Sequence, residues 1–217
     1  MRTVVFDLDG TLADTSADLL AAANACLGPG VLGPADALSA FQGGRAMLRL
    51  GYQRLGVVGE IERDYGRLLA AYADGICVET RLYPGVVAAV EGLRRAGYAT
   101  AICTNKPEGL AVDLVKRLGI GGLFGALVGA DTLPVRKPDP APYHLAVARV
   151  GGGLSMLVGD TDTDRQTGLA AGVPVALVTF GPEGRGVERL APEGLLDHYD
   201  DLGRLVERML GRMAHPA

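Results

Sequence analysis

A chain of 217 residues with 48% hydrophobic content can bury a substantial core and is long enough for one domain carrying an insert. Its 21 Lys and Arg against 25 Asp and Glu leave a net charge of −4 with no polybasic stretch, which argues against nucleic acid or an anionic membrane as the main partner. No apolar run approaches the roughly 20 residues that span a bilayer, no leader-like segment opens the chain, and Cys26, Cys77 and Cys103 show no metal-type spacing, so a cytoplasmic, reducing setting is expected.

Thr3 to Phe6 reads as a short strand that ends in Asp7-Leu8-Asp9-Gly10-Thr11. On extended backbone this spacing puts Asp7 and Asp9 on one side, about 7 Å apart at Cα, where they can share a cation. Gly10 permits a sharp turn, and Thr11 adds a hydroxyl and a backbone amide suited to phosphate. An apolar run followed by Asp-Gly is also an ordinary turn. The longer string Asp7-Leu8-Asp9-Gly10-Thr11-Leu12-Ala13-Asp14-Thr15 resembles the first motif of the haloacid dehalogenase superfamily of phosphatases.

From Thr15 to Arg81 the pattern is helical. Ser16 or Asp18 can cap a helix through Leu27 that stops at Gly28-Pro29-Gly30. Further helices are predicted over Pro34–Phe41, Ala46–Leu55 and Val58–Asp74, the last with Ile61, Tyr65, Leu68, Leu69 and Tyr72 on one face. Beyond Leu82, strands at 99–103, 126–128, 155–158 and 173–178 alternate with helices at 85–96, 107–118, 141–150, 164–171 and 202–212. Such alternation marks a parallel sheet covered on both faces. The expected architecture is α/β, a doubly wound Rossmann-like core (1–14 and 82–217) with an inserted all-α cap (15–81).

Ligands of an open sheet sit beyond the carboxyl ends of its strands, and reactive residues recur there. Thr104-Asn105-Lys106-Pro107 follows the second core strand, Arg136-Lys137-Pro138-Asp139-Pro140 the third, and Gly159-Asp160-Thr161-Asp162-Thr163-Asp164 the fourth. Each has a structural explanation as well: capping for Thr104 and the aspartates, a solvated lysine at a helix start for Lys137. These strings are similar, in order, to the second, third and fourth motifs of the same superfamily, the second to that of its phosphoglycolate phosphatase-like members. Thr161 stands where most relatives carry serine, and Thr167-Gly168 departs from the usual small pair. Lys106 reads as a solvated or secondary contact.

The resemblance implies a Mg²⁺-dependent phosphatase of a small phosphate monoester, a monomer or homodimer. Asp7 would be the nucleophile, Asp9 the acid and base, and Lys137 the bridging cation. Gly10, Thr11, Thr104 and Asn105 would bind phosphate, and Asp7, Asp9 through its backbone carbonyl, Asp160 and Asp164 would hold the metal. A β-phosphoglucomutase-like transferase shares the constellation. A receiver-type phospho-switch has a similar acid, Thr and Lys set but is shorter and has no helical insert. Within the insert, Arg45 follows Gly43-Gly44, where a guanidinium could clamp a substrate carboxylate or simply face solvent. His144, His198 and His215 fit no ligand pattern, and residues 181–186 read as a Gly-rich connection at the crevice rim.

Overall fold

The computed structural model describes residues 1–211; His215 and the predicted helix end at Arg212 lie outside the described residues. The chain separates into two compact units, one of Ala13–Arg81, the other of Met1–Leu12 and the chain from Leu82 onward.

In chain order, β1 (Arg2–Phe6) is followed by β2 (Ala13–Asp14), α1 (Ser16–Leu27), α2 (Ala37–Phe41), α3 (Gly44–Leu55), α4 (Ile61–Asp74) and β3 (Arg81–Leu82). Then come α5 (Val86–Arg95), β4 (Ala99–Cys103), α6 (Glu108–Arg117), β5 (Ala126–Val128), α7 (Ala141–Arg149) and β6 (Leu154–Gly159). The elements α8 (Asp162–Ala171), β7 (Val175–Val178), β8 (Gly194–Leu196) and α9 (Leu202–Leu210) complete the series.

In the helical unit, α1, α3 and α4 bury Leu20, Ala23, Leu27, Met47, Leu48, Leu68 and Tyr72. The predicted apolar face of α4 is present, but the helix begins at Ile61, because residues 57–60 form a loop in which Val58 is wholly exposed. An acid interrupts that face. Asp64 is buried, accepts from the Tyr52 hydroxyl and pairs with Arg63 and Arg67, whose guanidinium groups hold its carboxyl well below the usual range.

Asp18 does not cap α1. Its carboxylate is 5% exposed and accepts from the backbone N–H groups of Val78 (3.1 Å), Glu79 (2.9 Å) and Thr80 (3.0 Å) and from the Thr80 hydroxyl (2.7 Å). Three consecutive amides outcompete a single helix end, while Ser16 bonds the Asp14 side chain instead. Asp18→Ala leaves the buried Thr80 donors unpaired and frees the amides of the exposed Val78 and Glu79, a cost of about 3 kcal/mol. Hydrogen exchange at the three amides is expected to quicken roughly a hundredfold; unchanged protection would show that the carboxylate does not hold this segment.

The other unit carries a six-stranded sheet of order β5-β4-β1-β6-β7-β8, every pairing parallel. Val4, Val5 and Phe6 of β1, Ala101 to Cys103 of β4, Met156 to Val158 of β6 and all of β7 are buried, as near-continuous apolar runs covered on both faces should be. Helices cover the sheet through residues such as Val86, Val90 and Leu93 of α5 and Leu202, Leu205 and Val206 of α9. A separate two-stranded sheet pairs β2 with β3. No helix among the described residues is long and apolar enough to cross a membrane.

Candidate active site

β1 lies at the point where the strand order reverses, so the carboxyl ends of β1, β4 and β6 open onto one crevice. Asp7, one residue past β1, keeps sheet geometry because its N–H donates to the Val158 carbonyl at 2.9 Å. Leu8 N–H in turn donates to Asp7 Oδ1 at 2.7 Å, fixing the carboxylate at the strand end. Gly10 turns the chain with φ of 81°, and Thr11, fully buried, donates its hydroxyl to Asp160 Oδ1 at 2.8 Å.

Lys137 is the cation at the centre. Its Nζ lies 2.7 Å from Asp164 Oδ1 and 3.1 Å from Asp7 Oδ1, and its side chain is 1% exposed. Burial alone would lower its pKa, but Asp164 and Asp7 more than reverse that and hold the ammonium charged far above neutrality.

Asp164 serves both readings of the acidic loop. Its Oδ2 accepts from Thr161 N–H (3.1 Å), the Thr161 hydroxyl (2.9 Å) and Asp160 N–H (3.2 Å), closing the start of α8, while Oδ1 receives Lys137. The carboxylate passes so close to Gly159 that a Cβ there would lie 2.3 Å from Asp164 Cγ, so only glycine fits. Asp162, in the first turn of α8, is exposed.

The loop after β4 supports the same centre. Asn105 donates its amide to the Lys137 carbonyl at 2.9 Å, and the Thr104 hydroxyl accepts from Lys106 N–H at 3.2 Å. Lys106 is not solvated: it is 7% exposed, and its Nζ reaches Asp9 Oδ1 at 2.8 Å. The acid that joins Asp7 is therefore not Asp9, whose carboxylate is turned to Lys106, but Asp160 together with Asp164; ligand atoms of these three lie within 4.8 Å of one another. Cys103, just below, is a buried thiol pushed up to about 12 by burial, hence inert.

Four carboxylates here face two ammonium groups, and the excess is felt. Burial, then Asp164 and Asp9, push Asp7 up to about 6 against the pull of Lys137, and burial with Asp164 and Asp7 holds Asp160 well above the usual carboxylate range. Asp160 Oδ2 is buried and has no partner. An orphaned carboxylate oxygen beside a second acid fits a hard divalent cation, which takes oxygen ligands.

Arg45 belongs to the helical unit. Its Nε and Nη2 donate to both oxygens of Glu62 at 2.8 and 2.7 Å, and its guanidinium stacks 3.8 Å from the Tyr65 ring centroid. Two features of the core had no short-range signal in the sequence: the burial of Lys106, and the contact of the loop after β7 with the first motif. A Cβ on Gly181 would lie 2.9 Å from the Gly10 carbonyl oxygen and 3.2 Å from Asp160 Cβ.

Residues 1–172 match the haloacid dehalogenase-like hydrolase family. A phosphoglycolate phosphatase of Mesorhizobium japonicum is 38% identical over 98% of both chains, and one of Cereibacter sphaeroides is 37% identical over 97% of this chain and all of the other. The crystal structure of a predicted phosphoglycolate phosphatase from Haemophilus somnus superposes with a TM-score of 0.80 at 25% identity, covering 94% of this chain and 97% of that one.

Proposed function

The chain belongs to the haloacid dehalogenase-like hydrolases and is a phosphoric monoester hydrolase, and from that premise we propose that it cleaves a small carboxylated phosphomonoester of the 2-phosphoglycolate type, with Asp7 as nucleophile and Mg²⁺ as its ion. The observation that carries the assignment is the contrast in access. Asp7 keeps 13% of its side chain exposed against a fully buried lysine, whereas Asp160 and Asp164 are sealed in.

Asp7, kept ionised by Lys137, attacks phosphorus; the P–O bond to the leaving alkoxide breaks, and an aspartyl-phosphate forms. Asp9, ion-paired with Lys106 in the free protein, acts in its protonated form once released from that lysine, giving the proton to the leaving oxygen and then taking one from the water that cleaves the acyl phosphate. Lys137 offsets phosphoryl charge, with the backbone amides of the first-motif turn, that of Thr11 among them, and those of the Thr104-Asn105 loop as further donors. Asp7 and Asp160 would hold the Mg²⁺, with Asp164 orienting Asp160 and Lys137 from behind; the ion supplies positive charge against the phosphate dianion.

Selectivity is assigned to Arg45. Glu62, 74% exposed, satisfies the guanidinium fork only through a surface pair, and such pairs are worth about 0–1 kcal/mol. A substrate carboxylate can therefore take its place bidentately.

A panel of phosphate esters assayed by phosphate release, with Mg²⁺ and with excess chelator, tests the reading. 2-Phosphoglycolate is expected to exceed an uncharged aryl phosphate about tenfold in kcat/KM, and Arg45→Ala to erase that margin, the loss of roughly one charge-assisted contact. Full activity in chelator would overturn the metal role. Equal loss on both substrates would overturn the carboxylate clamp, and transfer of phosphate to a sugar in preference to water would point to a mutase.

A further inference from the structure

We propose that Tyr199, in the turn after β8, is a positioning residue for the metal-facing edge of the site, acting through the backbone of Thr11. Its side chain is 1% exposed, and its hydroxyl donates to the Thr11 carbonyl at 2.8 Å. The Thr11 hydroxyl donates in turn to Asp160 Oδ1 at 2.8 Å. A chain of two hydrogen bonds thus runs from Tyr199 to Asp160, and it is the other oxygen, Oδ2, that is left buried without a partner.

The neighbours of Tyr199 make the same segment rigid. Tyr83 N–H donates to the next carbonyl, that of Leu12, at 3.1 Å. The Phe180 ring sits with its centroid 4.9 Å from that of Tyr83 and 5.4 Å from that of Tyr199, linking the two tyrosines. Gly181 then presses against the Gly10 carbonyl and Asp160 Cβ at distances no larger residue tolerates. Consecutive residues Gly10, Thr11 and Leu12 are each held from outside the four motif strings, and Phe180, Gly181 and Tyr199 all lie beyond the 1–172 family match.

The physical consequence follows from the buried carbonyl. A main-chain acceptor sealed from water needs a donor, and without the Tyr199 hydroxyl the Thr11 carbonyl has to seek one by moving. The Thr11 side chain moves with it, and Asp160 Oδ1 loses the bond that orients Oδ2. This inference rests on the reading that Asp160 faces Mg²⁺.

Titration calorimetry with Mg²⁺ alone tests it without reference to turnover. Tyr199→Phe is expected to weaken Mg²⁺ binding about tenfold, the usual effect of losing a group behind a metal ligand, and saturating Mg²⁺ should restore most of kcat. Tyr143→Phe, which removes a buried hydroxyl from the core between α7 and the sheet, should bind Mg²⁺ within about twofold of wild type. Wild type that binds no Mg²⁺ overturns the metal reading beneath the proposal; wild type that binds, with Tyr199→Phe matching it or weakened no more than Tyr143→Phe, overturns the brace alone. If Tyr199→Phe does not fold, Phe180→Leu keeps the hydroxyl while removing the ring that packs on it. Binding weakened about threefold or more supports the brace, and unchanged binding overturns it.

Discussion

Asp7→Asn is expected to abolish turnover of an aryl phosphate, lowering kcat by at least about 10³-fold, while the protein stays folded. The amide is isosteric and can still accept the Leu8 N–H that orients the native carboxylate at 2.7 Å, so the strand end keeps its geometry. It also removes one negative charge from a crowded set: Asp7, Asp160 and Asp164 lie within 4.8 Å at their ligand atoms, and Lys137 retains Asp164 as a partner at 2.7 Å. Loss of fold is therefore not the expected cause of inactivity, and the melting temperature should be unchanged or higher. What the amide lacks is the anionic lone pair that attacks phosphorus. Phosphate release and circular dichroism on one preparation decide the point: a folded variant keeping about a tenth or more of the wild-type rate would remove Asp7 from the nucleophile role.

Much of the sheet was legible because a parallel strand buried on both faces has to read as an unbroken apolar run. Val4-Val5-Phe6, Ala101-Ile102-Cys103 and Val175-Ala176-Leu177-Val178 all do. β8 was not legible: Gly194-Leu195-Leu196 is three residues long, opens with the poorest strand former and is recruited by pairing with β7. β2 and β3, two residues each, carry no periodicity at all. Val58 extended the apparent helical pattern of α4, since periodicity cannot tell an apolar residue facing solvent from one facing a core.

The site divides along the same line. Asp7, Lys137, Asp160 and Asp164 were legible because each follows a core strand, Asp7 after β1, Lys137 in the loop after β5, Asp160 and Asp164 after β6, and a parallel sheet brings those carboxyl-end connections together. Side-chain partnerships across the crevice were not. Lys106 looks like any lysine before a proline, and only the packed structure shows it buried against Asp9. Asp18 looks like a helix cap because capping is the local option, yet three amides some sixty residues later outbid it. Tyr199 lies 188 residues from the carbonyl that it holds, beyond the reach of any spacing argument.

Lys137→Met is expected to cost both activity and stability, unlike Asp7→Asn. The side chain is 1% exposed, and its ammonium compensates Asp7 at 3.1 Å and Asp164 at 2.7 Å. Methionine fills nearly the same volume, so packing is not the issue. Removing one partner of a buried pair while leaving the other costs about 3–5 kcal/mol, and here two carboxylates lose their counter-ion beside a third, Asp160, already raised by burial and by its neighbours. The melting temperature should fall by several degrees, and added Mg²⁺, by supplying charge to the same acids, should recover part of the loss. Turnover should drop on the order of 10³-fold even at saturating Mg²⁺, because a second positive charge on the transferring phosphoryl group is missing. A variant as stable as wild type would show that Lys137 is not what balances these acids, and one within about tenfold of the wild-type rate would show that its charge is not used on the phosphoryl group.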